Sequence, residues 1–282
     1  MIVWIEIPKN DNARNRMNIQ KKALNTGYLV LSLYNKNWLV IPYLGMTSII
    51  ESNKPTKTQK TLGSSRIDVV ASTKQRETGK DAAIKHFKYT DKIFYTATKA
   101  HHASLPVTLS RKNTRVKLFE SLVSIVIAQQ LGTAAADTIY ARVVKACKGR
   151  LTSESVLRTH SVFLRKAGLS GAKTKTLKAI AMSIENNSLD LLSLHRLPEE
   201  AAAEILLSVW GLGPWSVDMF MMHSLGREDV FSAGDLGLVR AMEAIYNLPK
   251  NSPRSSLLAI AKKWSPYRTY ASLLLWKTRD AT

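Results

Sequence analysis

In this 282-residue chain, the residues best placed to do chemistry are an aspartate at the start of a helix and a glycine-rich turn ahead of it. The run Arg227-Glu-Asp-Val-Phe-Ser-Ala-Gly-Asp235-Leu-Gly-Leu-Val-Arg-Ala-Met-Glu-Ala-Ile-Tyr246 becomes amphipathic just after Asp235, which puts that carboxylate at a helix amino terminus. As an N-cap it would accept a bond from the first helical N–H groups and stabilise by ~1 kcal/mol. The same position keeps a carboxylate ionised at neutral pH, where it can face a developing cation. The two roles are compatible.

The turn lies in Ile205-Leu-Leu-Ser-Val-Trp-Gly-Leu-Gly-Pro-Trp-Ser-Val-Asp-Met-Phe220. A helix ends at Gly211, and Pro214 takes a position near the start of the next one. Two glycines around one apolar residue let the backbone turn sharply with its N–H groups uncovered, beside the positive end of the following helix. That is a phosphate site needing no side-chain charge. Taken alone, such a turn is more often an ordinary helix–helix connection.

Helices must position both features. From Asp81 onward apolar residues recur at helical spacing, as in Val116, Phe119, Leu122, Val123, Val126 and Ile127, continued by Ile139, Val143 and Cys147 beyond Gly132. Further helical segments are expected at 153–167, 173–185, 198–209, 214–225, 236–247, 253–263 and 266–278. Pro198 fits a first helical position, and Ser265-Pro266 reads as a cap followed by a first turn. The expected fold is an all-α domain with two lobes around a cleft, spanning 81–282. Ahead of it, 28–34 and 38–44 read as strands of a short hairpin within an amino-terminal segment, 1–50, and 51–80 reads as a polar, disordered linker.

Composition narrows the partner. Lys and Arg number 41 against 21 Asp and Glu, a net charge of +20 that points to a polyanion. To Gly79 there are 12 basic and 5 acidic residues, so about two thirds of the excess belongs to the helical part. Cys147 is the one cysteine, too few thiols for a disulfide within the chain, a four-thiolate zinc site or an iron–sulfur cluster, and in keeping with a reducing compartment. Neither a secretory signal nor a membrane span is expected, since Tyr28 to Ile50 is broken by Asn35-Lys36-Asn37, Pro42 and Gly45.

Together, Gly211-Leu-Gly-Pro-Trp215, Asp229-Val-Phe and Asp235-Leu-Gly, the last set 22 residues after Gly213, resemble the helix–hairpin–helix (HhH-GPD) superfamily of DNA glycosylases. Within it they are most similar to the 3-methyladenine DNA glycosylase II branch. Leu118-Phe-Glu-Ser-Leu with Ile125-Val-Ile-Ala-Gln-Gln-Leu131, Ala167-Gly-Leu-Ser-Gly-Ala-Lys-Thr-Lys175, and Trp264-Ser-Pro-Tyr-Arg268 through Leu274-Leu-Trp276 add to the likeness, which covers about 81–282.

The resemblance implies a base-excision repair enzyme that hydrolyses the N-glycosidic bond of alkylated bases such as 3-methyladenine in double-stranded DNA, acting as a monomer away from membranes. It would work in the cytoplasm or nucleoid of a bacterial cell, or in the nucleus of a eukaryotic one. It assigns Asp235 to stabilising the oxocarbenium-like transition state and orienting water. Trp215, Trp276 and Met219 would line the pocket for the flipped base, and Gly211, Leu212, Gly213 and Trp215 would form the DNA-binding hairpin. Gln130 or Leu131 would fill the gap in the duplex. It needs no cofactor, and implies at most a monovalent cation, Na or K, on the carbonyls of Leu207, Val209 and Leu212. Related strand-cutting enzymes carry a lysine where Trp215 stands, so hydrolysis alone is expected.

Plainer readings stand beside these. A tryptophan on an apolar helix is more often core, and Trp210 and Trp264 are expected there; His223 is expected to be structural. Lys173 and Lys175 are either DNA contacts or a solvated surface pair. Met219, Gly132 and Ser232-Ala-Gly234 depart from the family pattern and leave the lesion open, with uracil, hypoxanthine or an oxidised purine as alternatives. A helix–hairpin–helix module that binds DNA without catalysis is the third reading.

Overall fold

The computed structural model describes residues 21–23, 28–33, 37–42 and 79–280. The chain divides into a unit over Met1–Ser72 and another over Thr73–Thr282. In the first, β1 (Lys21–Ala23), β2 (Tyr28–Leu33) and β3 (Asn37–Pro42) form an antiparallel sheet in that order, with Val30 opposite Val40 and Lys22. Of the expected linker, 51–78 lie outside the described residues, whereas Gly79 and Lys80 are helical.

The second unit is helical and has two cores. One lobe is built from α3 (Arg115–Ala128), α4 (Thr133–Ala146), α5 (Ser153–Arg158), α6 (Ser161–Lys166), α7 (Gly171–Glu185), α8 (Glu199–Leu207) and α9 (Pro214–His223). Its core gathers Leu118, Leu122, Val126, Leu177, Ile180 and Phe220, all 0% exposed. The other lobe combines α1 (Gly79–Thr90) and α2 (Lys92–Thr98) with α10 (Leu236–Ile245), α11 (Arg254–Ala261) and α12 (Arg268–Asp280). Phe87, Phe94, Leu238, Trp264 and Leu274 fill it. The path of the helical unit therefore starts in one lobe, builds the other and returns. Trp276 packs against both cores.

Several expectations need correction. The segment 153–167 is two helices: Lys178 Nζ donates to the carbonyls of Val156, Leu157 and Thr159 at 2.6–2.8 Å, capping α5 from α7. Pro198 is the residue before α8 rather than its first, and α12 begins at Arg268, after a cis Ser265–Pro266 peptide. Val116 sits on the outer face of α3, 45% exposed. Trp264 is fully buried as expected, but Trp210 is 47% exposed, with Lys175 Nζ 4.2 Å above its ring.

Glu199 opens α8 in a crowded place. Burial pushes its pKa up to about 7 from an ordinary 4.5, against the pull of the Arg268 charge. Between those two values the folded chain holds a proton that the unfolded chain has lost, so stability falls as pH rises from 4.5 to about 7 and then levels. Glu199→Gln should raise the melting temperature at pH 8, by on the order of 2 kcal/mol of stability, with the gain vanishing near pH 4.5. Melting curves across that range check it.

Candidate active site

Asp235 is the N-cap of α10, its Oδ1 accepting from Leu238 N at 2.9 Å. Two indoles converge on the same carboxylate. Trp215, in the first turn of α9, donates from Nε1 to Oδ2 at 2.8 Å, and Trp276 on α12 donates from Nε1 to Oδ1 at 3.0 Å. The carboxylate thus sits where the lobes meet, gripped from both. A carboxylate offers about four lone-pair positions, and these donors leave Oδ2 with room for one more partner, such as a water. Bonds to an ionised acceptor are roughly twice as strong as neutral ones, so the oxygens are held in one orientation.

Close packing here depends on Gly237, two residues into the Asp-Leu-Gly motif. A Cβ at this position would collide with Arg279 Nη1 and lie 3.2 Å from Trp276 Cδ1. His223, at the end of α9, stacks on Trp276 with ring centroids 5.5 Å apart and planes at 30°. Desolvation by its neighbours, reinforced by the Lys112 charge and opposed by Asp235, lowers its pKa. The stack places His223 beside the candidate site, a proximity its position on an apolar helix did not signal.

The loop into α10 is fixed by Asp229. It receives Arg268 Nε at 2.7 Å, Arg268 Nη2 at 3.0 Å and Ser265 Oγ at 2.7 Å. Burial alone would raise its pKa, but these bonds and the Arg268 charge hold it below the usual carboxylate value. The Asp-Val-Phe motif thereby ties the loop to the start of α12, the helix that carries Trp276.

The hairpin joins α8 to α9. Gly211 adopts φ +86°, and a Cβ there would run into Thr176 of α7, so both backbone and space require glycine. Gly213 is the N-cap of α9, and a Cβ added to it would meet nothing within 4 Å, so its surface is open. Among the described residues no backbone acceptor takes the N–H of Gly211, Gly213 or Trp215. Leu212 is buried beneath the turn. The carbonyls of Leu207 and Leu212 likewise accept no backbone bond, while that of Val209 accepts the Leu212 N–H.

The end of α3 reaches this hairpin. Gln129 Nε2 donates to Ser216 Oγ at 2.8 Å and to Gly211 O at 3.4 Å. Beyond it Gln130 takes φ +57°, and Leu131 is 40% exposed. Lys173, one of the two candidate DNA-contacting lysines, is instead turned inward: its Nζ caps α3 by donating to Ile127 O at 2.8 Å and Gln129 O at 2.7 Å, and burial lowers its pKa. Met219 is buried in the core of its lobe, and is not among the groups bonded to Asp235.

The family described as HhH-GPD superfamily base excision DNA repair protein matches residues 123–266, and the chain belongs to it. DNA-3-methyladenine glycosylase 1 of Schizosaccharomyces pombe is 30% identical over 172 residues, covering 60% of this chain and 75% of that protein. Among solved structures, a DNA-3-methyladenine glycosidase of Bacillus halodurans aligns with TM-score 0.60 and 32% identity over 72% of this chain and 91% of its own. The 3-methyladenine DNA glycosylase of the same fission yeast, in complex with abasic DNA, aligns with TM-score 0.61 and 27% identity, over 70% and 95%. No helix among the described residues is long and apolar enough to cross a membrane.

Proposed function

We propose that this protein is a monofunctional glycosylase that hydrolyses the N-glycosidic bond of alkylated bases such as 3-methyladenine in double-stranded DNA, leaving an abasic site. One observation carries the reading: a carboxylate held by two indole N–H groups and a helix amino terminus, beside a hairpin with uncovered amides. The names of its relatives point to the same substrate class.

Cleavage builds positive charge on the deoxyribose, and Asp235 supplies fixed negative charge and an oxygen that can orient water. An alkylated base is already cationic and leaves without a strong general acid. The target base leaves the stack at a cost of a few kcal/mol, least for damaged bases. Trp215 and Trp276 then offer π-faces suited to an electron-poor ring. Leu131, exposed past the end of α3, is the better wedge, since the backbone at Gln130 turns left-handed ahead of it. The hairpin amides grip phosphate. The Leu207, Val209 and Leu212 carbonyls would hold a monovalent cation, which would add positive charge on the phosphate side.

Gly211 and Gly213 separate folding from binding. Gly211→Ala should cost more than about 2 kcal/mol of stability through strain and collision with Thr176. Gly213→Ala meets open space and should leave stability within about 0.5 kcal/mol, yet weaken binding to all duplexes several-fold by lifting phosphate off the amides. Melting curves and salt titrations of affinity distinguish them.

A set of labelled duplexes, each with one lesion, followed by alkali cleavage tests the whole reading. Base release from alkylated members is expected, and strand cleavage without alkali would contradict hydrolysis alone. Binding without release from any member would leave a DNA-binding module.

A further inference from the structure

A cavity lined by described residues lies away from Asp235. It has a volume of about 750 Å³ and runs between the start of α3, the end of α4, and α5 and α6. A smaller one of about 270 Å³ adjoins it, sharing Ala146 and Phe163. The floor is apolar: Val116 is 45% and Phe163 57% exposed over buried Phe119 and Cys147. Two large side chains left open in one groove are a stronger signal than scattered surface apolar residues.

The rim is cationic. Arg115, Lys148 and Arg150 line the larger cavity, and Arg142, Lys145 and Lys166 the smaller. None of the six is in an ion pair with a described residue. The two acids present are already engaged, Glu154 by Arg158 at 2.6 Å and Glu185 by Ser153 Oγ at 2.6 Å.

Two helices fix where this groove stands relative to the hairpin. The start of α3 lines the groove, and its far end, at Gln129, bonds the hairpin. In α7 the order is reversed: Thr176 touches Gly211 near the start, and Glu185 lines the groove at the end. At 1.5 Å per residue the groove lies roughly 15–20 Å from the hairpin, at the opposite end of the lobe.

We propose that this groove docks an acidic segment of a partner protein, which seats an aromatic side chain against Phe163 and Val116 while its carboxylates meet the rim. Charge complementarity selects the partner, and the buried ring supplies affinity. The surface is separate from the base-excision site, so occupancy at one end leaves the hairpin free for DNA.

The test uses the full chain and dye-labelled, end-blocked dodecapeptides carrying six Asp or Glu around one central Trp, Phe, Leu or Ala, followed by anisotropy. Peptides with a central aromatic should bind saturably, at least tenfold tighter than those with Ala. Phe163→Glu and Arg150→Glu should each weaken binding at least tenfold, with melting temperature and base release unchanged, since both side chains lie on the surface. Excess undamaged duplex should not displace the peptide. Displacement by DNA would assign the groove to nucleic acid and overturn the proposal. So would equal binding of Trp and Ala peptides, or no saturable binding of any peptide at millimolar concentration.

Discussion

Asp235→Asn should slow release of an alkylated base by about 10³-fold while the variant binds the same duplex as well as the parent or better. The substitution keeps the size of the side chain and leaves one oxygen to accept from Leu238 N and Trp276 Nε1, so α10 keeps its cap. It removes the charge that faces the developing cation, and loss of one preorganised electrostatic group typically costs 10²–10³ in rate. It also turns an NH2 toward Trp215 Nε1, which now donates to Oδ2, leaving two donors opposed. Binding is spared because a negative charge near phosphate is repulsive in the ground state. Single-turnover release and affinity for one lesion-bearing duplex measure the two effects separately, and equal rates for parent and variant would remove Asp235 from the mechanism.

The location of this carboxylate was legible because its signals are local. An aspartate before an amphipathic run is an N-cap whatever the rest of the chain does, and Gly-Leu-Gly-Pro makes its turn from four consecutive residues. The two-lobed helical fold was legible for a similar reason, since apolar spacing within each helix marks its buried face. Which tryptophan is core was not. Trp264 is 0% and Trp210 47% exposed, because Trp210 falls in the hairpin turn and Trp264 is enclosed by Phe94 and Phe231.

Helix ends set by distant lysines were equally hidden. Lys178 stops α5 and Lys173 caps α3, the second from 44 and 46 residues away, and a lysine in sequence looks the same whether it meets solvent or a row of carbonyls. Burial lowers the pKa of both. Gly237 stands between these cases: it was visible as part of a motif, but the reason for it, the approach of Trp276 and Arg279, exists only once α12 is packed.

The same limit applies to Trp215 and Trp276, and it shapes a second prediction. Their place near the base follows from a motif, but their bonds to Asp235, from 20 and 41 residues away, come from tertiary packing. Trp215→Phe keeps an apolar face and removes the one donor to Oδ2 among the described residues, so release should slow by about 10–100-fold, the worth of a hydrogen bond to a charged group. Trp276→Phe should cost less through the carboxylate, because Leu238 N still holds Oδ1, and the stack on His223 survives. Combined, the two changes should be non-additive, since both act on one group. The decisive comparison places Trp215→Phe on the Asp235→Asn background. If the indole acts by orienting the carboxylate, it should then have almost no further effect on single-turnover release. If it acts only as a wall of the base pocket, its cost should be the same on either background, and the indole grip on Asp235 would be packing without consequence for catalysis.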